Sequence, residues 1–457
     1  MNHNNYVYIS DRLVQWILNI ISLISTIALI IMSYDIEYKV VIALPVVFFL
    51  SVHFFLKRFM LKGIGAVALV IAYAFRMCLL PILCAYGNFY IEPSKYIYIG
   101  YFGIAILLMC VECVIVFASL SYYSNKYEKK KENKIANNIK TNNRIVILFS
   151  ILAIAIYIYI LISRPNFLSN HFHFLVSSVE DATAFEIGNA SLQNYGVMYY
   201  IAVILDLTAR PTASFLLVNW GLKSNSRIGL LFSIGVGIFN IFWISDRRIL
   251  SLLIGIVCLF QVIVHLRNKI SKQAVYWAIG ILGVLTVVYC FLGEDTPLRV
   301  ARKFQRYFSG PSLTAIGIGV YNNYIQTPFD FLKLLFNDSL LLTGLFDSIP
   351  VINYVIELCG ASGYSIWTPM FIGAIQYFHL LAPILIIIPV KFIVYTDHRS
   401  MSESSDLRKM MLNYLTIAIS VYMIMYSVEL VYYNIIFIGG FFYLLLFIND
   451  KVKISIR

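Results

Sequence analysis

The sequence predicts an all-α polytopic membrane protein, and three observations predict it. Apolar residues make up 60% of the chain and charged residues 13%, whereas a soluble domain is nearer half apolar and a quarter charged. About twelve apolar runs are long enough to cross a bilayer as helices, which takes roughly 20 residues each. Tyrosines crowd the ends of those runs, as interfacial anchors do, in a chain with 33 Tyr and 33 Phe. The opening "MNHNNYVYISDR" is polar and no small-residue cleavage site follows the first apolar run, so no cleavable signal is expected.

The expected spans begin near residues 13, 39, 63, 97, 145, 194, 228, 249, 275, 366, 411 and 431. Residues 1–292 form an N-terminal transmembrane bundle of about nine helices, and residues 366–457 supply about three more. Between them, residues 293–365 form the largest hydrophilic segment. The connections alternate in charge. "LKRFMLK" (56–62), "NKYEKKKENK" (125–134), "LKSNSR" (222–227), "LRNKISK" (266–272), "DHRSMSESSDLRK" (397–409) and the tail "KVKISIR" are rich in Lys and Arg; "SYDIEYK" (33–39), "GNFYIEPSKY" (87–96) and 164–194 are not. Positive charge stays inside, which puts both termini in the cytoplasm and 293–365 outside. The net charge of +12 is largely this bias and calls for no nucleic-acid partner.

The seven cysteines lie mostly inside apolar runs, and no pair has metal-ligand spacing with a histidine. Cys110 and Cys113, one helical turn apart, read as packing residues.

Two places break the charge rule. One is "SDRR", which sets Asp246, Arg247 and Arg248 at the outer junction of the seventh and eighth spans. The other is "EDTPLRVARKFQRYFSGPS" (294–312). Asp295 or Thr296 can cap a helix there, Pro297 suits its first turn and Gly310-Pro311 ends it. At about 100° per residue, Arg299, Arg302, Lys303 and Arg306 share one face, and Val300, Phe304, Tyr307 and Phe308 share the opposite one. Two chemistries fit such a helix. It can lie in the headgroup layer and bind anionic lipid. It can also clamp a diphosphate, because guanidinium forks match phosphate oxygens. On the outer face of a membrane, the available diphosphates are mainly lipid-linked sugar donors. A transferase acting on them must stabilise the charge growing on the leaving diphosphate. No Asp-x-Asp metal motif stands out, so arginines can take the metal's place and no cofactor is expected.

The chain resembles the O-antigen or capsular polysaccharide repeat-unit polymerases of the Wzy class. "SDRRILSLLIG" (245–255) resembles the family's polar-Arg junction followed by an apolar helix, and "RKFQRYFSGPSLTAI" (302–316) its basic-aromatic opening of a large outer loop. The family's Arg-x10-Gly spacing occurs at Arg299/Gly310 and Arg306/Gly317, and also at Arg76/Gly87 and Arg210/Gly221. The resemblance implies a membrane glycosyltransferase-like fold with a large outer loop carrying amphipathic helices. It implies transfer of a growing glycan from undecaprenyl diphosphate to the non-reducing end of a new lipid-linked unit. The partners it implies are the undecaprenyl-diphosphate-linked oligosaccharide, the bilayer, a flippase and a chain-length regulator. Arg247, Arg248, Arg302 and Arg306 then take the catalytic role. Arg299, Lys303, Tyr307, Arg210, Glu429 and Asp246 bind substrate. Which of Arg247 and Arg248 is essential stays open. An O-antigen ligase and a flippase are the alternatives; residues 293–365 hold no His, which ligases use, and no half-to-half repeat is seen.

Ionisable groups inside the membrane are functional candidates. Arg76 and Glu112 lie at similar depth and read as a structural ion pair. Asp206 and Arg210 are one turn apart, with Pro211 breaking the helix; they pair with each other, or Arg210 lines the cavity. Glu429 accepts sugar hydroxyls or joins an internal salt bridge. His379 reads as a mid-span interface residue, and His171 and His173 as exposed loop residues. The general base stays open among Asp246, Glu294, Asp295, Asp330, Asp338 and Glu357. A second amphipathic helix is expected within 327–350.

Overall fold

The computed structural model describes residues 11–32, 36–56, 62–89, 99–131, 144–163, 173–174, 197–224, 226–244, 248–266, 308–323, 327–338, 369–425 and 428–451. In chain order its helices are α1 (Asp11–Met32), α2 (Ala43–Phe55), α3 (Ile64–Ala74), α4 (Leu80–Tyr86), α5 (Phe102–Lys131), α6 (Arg144–Ser163), α7 (Val197–Lys223), α8 (Arg227–Phe242) and α9 (Arg248–Leu266). They continue with α10 (Pro311–Asn323), α11 (Pro328–Asp338), α12 (Met370–Phe378), α13 (Ala382–Ser402), α14 (Asp406–Met425), α15 (Val428–Tyr433) and α16 (Gly440–Lys451). Among the described residues the extended structure is one antiparallel pair, β1 (His173–Phe174) against β2 (Trp243–Ile244). Every expected span start falls within a few residues of helix, except the one near 275, which lies outside the described residues.

Among the described residues, five helical stretches are long and apolar enough to cross a membrane: Leu13–Met32, Ile64–Tyr86, Phe102–Tyr127, Met370–Ser402 and Val428–Asp450. Lys39–Phe55, Arg144–Ile156, Arg227–Ile241 and Leu250–Leu266 are shorter and apolar. The protein is therefore a helical membrane protein. Its lipid-compatible surface is plain on α1, where Trp16, Leu23, Ile24 and Ile31 are exposed while Leu18 and Leu29 are buried.

The helices overrun several expected connections. α5 continues to Lys131 through "NKYEKKK", and α13 continues to Ser402. Pro211 does not break α7, which runs unbroken from Val197 to Lys223; one missing N–H is tolerated inside a packed helix. His379 is not mid-helix. It sits at φ 46° where α12 gives way to a short 3-10 turn before α13, next to Leu380, which is 95% exposed. The second amphipathic helix is α11, which covers the first part of 327–350. The remainder of that stretch lies outside the described residues.

The chain divides into two compact units. The first comprises residues 1–135, 295–398 and 419–435, the second 136–294, 399–418 and 436–457. In the first unit, Phe48 of α2 and Tyr73 of α3 both meet Phe117 of α5 edge-on, at 5.6 and 6.4 Å between ring centroids. Phe331 of α11 is buried among Tyr377, Phe378 and Tyr432. The start of α11 is a capping box: Thr327 donates its N–H and hydroxyl to Asp330 at 2.9 and 2.7 Å, while the Asp330 N–H points back to the Thr327 hydroxyl at 3.4 Å.

α3 starts on a cap supplied from far along the chain. Asp397 of α13 accepts the N–H groups of Gly65 at 3.0 Å and Ala66 at 2.8 Å, and the Ser420 hydroxyl donates to the Gly65 carbonyl at 2.9 Å. Gly63 leaves room for this carboxylate; a Cβ there would run into the Asp397 side chain. Gly63→Ala is expected to lower stability by about 1–3 kcal/mol, the cost of a lost cap plus crowding. Thermal unfolding of the purified protein checks it, and an unchanged midpoint refutes it.

In the second unit the helices meet through small residues, as helices in lipid do. A Cβ on Gly221 of α7 would lie 2.7 Å from the Gly229 carbonyl of α8, and one on Gly255 of α9 would lie 2.7 Å from the Gly237 carbonyl of α8. The backbones touch at both crossings.

Candidate functional site

The basic stretch of the sequence is rooted in a buried polar network of the first unit. α3 passes into α4 through a π-helical turn, Phe75–Leu79, in which the Leu80 N–H reaches the Phe75 carbonyl. Such turns shift the facing of one residue and recur at functional sites. Pro81 follows, and its missing N–H disrupts the ordinary ladder at that point. The residue redirected into the protein is Arg76, only 1% exposed.

Its guanidinium meets three groups. Nη1 donates to Glu112 Oε1 of α5 at 2.6 Å. The Tyr73 hydroxyl donates to the same carboxylate oxygen at 2.6 Å, and its ring lies 6.0 Å from the Arg76 Cζ. Nε donates to the Ser309 carbonyl at 3.3 Å. The ion pair expected from Arg76 and Glu112 is thus present; Tyr73 and Ser309 were not foreseen. Ser309, Gly310 and Pro311 carry the chain from the basic stretch into α10, and two further contacts hold this corner. Phe308 packs on Phe75 at 4.7 Å between centroids, and the Ser312 hydroxyl donates to the Phe89 carbonyl at 2.7 Å. Ser309 sits at φ 51°, a left-handed conformation costly for a residue with a Cβ. Among the described residues, Arg76 Nη2 and Ser309 Oγ are buried and make no hydrogen bond.

The second unit builds another arginine-centred network beside the "SDRR" junction. Arg210 of α7 donates from Nε to Asn240 Oδ1 of α8 at 3.1 Å and from Nη1 to Ser251 Oγ of α9 at 2.9 Å. Asn240 donates in turn to Ser214 Oγ at 3.1 Å. Ser251 is on the first turn of α9, the helix that opens at Arg248. The pairing of β1 with β2 sets the His173 backbone opposite Ile244, immediately before the junction. Three helices and β1 thus meet at the end of α8 and the start of α9. Arg210 thus has polar partners on α8 and α9, and the side chain of Asp206, its other expected partner, lies outside the described ones.

The remaining site residues fall as follows. Arg299, Arg302, Lys303, Arg306 and Tyr307 lie outside the described residues, as do Asp246 and Arg247. Arg248 begins α9. Glu429 occupies the first turn of α15 and is 6% exposed. Of the acids left open as general base, Asp330 is engaged in the α11 cap. Partial burial pushes its carboxyl up, but the Thr327 hydrogen bonds and nearby Lys333 leave it below the ordinary carboxylate range. A proton acceptor matched to neutral pH needs the reverse. Glu294, Asp295 and Glu357 lie outside the described residues. Among the described residues no three His, Cys, Asp or Glu side chains gather in a metal-binding arrangement.

Comparison with known protein families, curated proteins and solved structures finds no match to this chain.

Proposed function

We propose that this protein is a metal-independent membrane glycosyltransferase that polymerises lipid-linked oligosaccharide repeat units. It works on the outer face of a bacterial cytoplasmic membrane, with twelve spans and both termini in the cytoplasm. It moves the growing glycan from undecaprenyl diphosphate to the non-reducing end of a newly delivered unit, in the manner of the O-antigen and capsular polymerases it resembles. Arg302 and Arg306, with Arg247 or Arg248, neutralise the departing diphosphate; Arg299, Lys303, Tyr307, Arg210, Asp246 and Glu429 bind the donor and acceptor. A flippase supplies the units and a chain-length regulator ends the product.

The observation that supports this best is the rooting of the basic stretch. Its C-terminal end packs by Phe308 on Phe75 and is followed by Ser312, whose hydroxyl holds the Phe89 carbonyl. A stretch that only adheres to headgroups needs no such fixed attachment. A clamp whose guanidiniums must hold a leaving group in register does.

Purified protein supplied with lipid-linked repeat units is expected to extend glycans at an unchanged rate in excess EDTA. Collapse of the rate on chelation, restored by magnesium or manganese, would move the chemistry to the acids. Deletion of the gene separates the alternatives. Polymer lost with the single-unit product retained supports the polymerase; loss of all transferred glycan indicates a ligase or flippase.

A further inference from the structure

Arg76 presents two edges, and only one of them is well satisfied. Nη1 is fixed on Glu112 at 2.6 Å. The other edge, Nε with Nη2, is the fork that grips two oxygens of one phosphate or carboxylate side by side. Here it meets a single carbonyl, Ser309 O, at 3.3 Å, and the Nη2 prong is buried without a hydrogen bond. The Ser309 hydroxyl beside it is also buried without one. Leaving two buried donors unmade is costly, and native structures seldom do so without cause. Ser309 itself holds a left-handed φ of 51°. The turn covering the fork is therefore strained at Ser309 and meets the fork through one long contact. The groups on either side are firm: Ser312 holds Phe89, and Glu112 is braced by Tyr73.

We infer that the Nε–Nη2 edge of Arg76, together with Ser309 Oγ, is a phosphoryl-binding site that the 308–310 turn closes when empty. A bound phosphoryl group displaces the Ser309 carbonyl, while Phe308 stays on Phe75 and Ser312 on Phe89, and gives each fork prong an oxygen. It also takes the serine hydroxyl as a donor. This rests on the polymerase reading, under which the phosphoryl belongs to the undecaprenyl diphosphate held by the adjoining arginines. Glu112 offsets the charge of Arg76 while the site is closed, so the fork can wait without an unpaired buried charge.

The test uses full-length protein in phosphatidylcholine nanodiscs with undecaprenyl diphosphate as ligand, against inorganic diphosphate and phosphatidylglycerol. Arg76→Lys keeps a cation for Glu112 but loses the fork, and is expected to weaken undecaprenyl diphosphate binding about tenfold or more. Ser309→Ala is expected to weaken it by a smaller factor, about threefold. Competition by inorganic diphosphate shows that the phosphoryl groups and not the lipid tail are recognised. Wild-type affinity in Arg76→Lys, with polymerisation intact, overturns this site and leaves the polymerase standing. If Arg76→Lys does not fold, unchanged affinity in Ser309→Ala overturns it equally. Wild-type protein that fails to bind undecaprenyl diphosphate, or prefers phosphatidylglycerol, overturns both.

Discussion

Replacing Glu112 by glutamine is expected to destabilise the protein by about 3–5 kcal/mol, because it leaves a guanidinium buried without its counter-charge. Arg76 and Glu112 are each 1% exposed and separated by 2.6 Å. Water cannot reach either group, so nothing screens the loss. The amide can still accept from Tyr73, which isolates charge as the cause. Replacing both residues, as Arg76→Met with Glu112→Gln, is expected to recover a large share of that loss, since no charge then stays buried. Thermal unfolding of the single and double variants in one detergent checks both statements. A Glu112→Gln midpoint equal to wild type, or a double-variant loss equal to the sum of the Arg76→Met and Glu112→Gln losses, would show that the pair is not coupled as the geometry requires.

That pair also marks how far the sequence could be read. Two opposite charges in apolar runs at similar depth point to each other, because lipid leaves them few other partners. The helices were legible for the same reason: runs of apolar residues near the bilayer length admit little else. What could not be read was set by contacts distant along the chain. Ser309 meets Arg76 across 233 positions, and Asp397 caps α3 from 332 positions beyond Gly65. No local pattern in "SGPS" or in "TDHRS" announces either. The π-helical turn that redirects Arg76 accompanies Pro81, and a proline alone does not say whether a helix stops, kinks or takes such a turn. Pro211 misled because a lone proline is read as a break, although a well-packed helix accommodates it. The Arg-x10-Gly spacing also occurs at Arg76 and Arg210, and those two arginines sit at the centres of the two polar networks.

The second large effect is expected at the basic stretch itself. Replacing Arg302 and Arg306 together by lysine should cut polymerisation on the order of 10²-fold while leaving stability unchanged, the scale of losing one preorganised donor to a developing oxyanion. Lysine keeps the charge, so attraction to anionic headgroups survives, and a stretch that merely adheres to the membrane would tolerate the exchange. What lysine lacks is the planar fork. Its ammonium is a strongly hydrated point charge that holds one oxygen and leaves the diphosphate free to rotate away from the acceptor. The position of these residues matters as much as their charge. They lie a few residues before Phe308, which packs on Phe75, so their register with the transmembrane helices is set at one end. Rate should therefore fall with little change in the apparent affinity for donor, because the remaining arginines still bind ground-state diphosphate. Turnover of lipid-linked units by the purified double variant measures this, with gel analysis of surface glycan as the cellular readout. Wild-type turnover and chain length in the Arg302→Lys/Arg306→Lys variant would return the stretch to a headgroup anchor and move the diphosphate clamp elsewhere, first of all to Arg247 and Arg248.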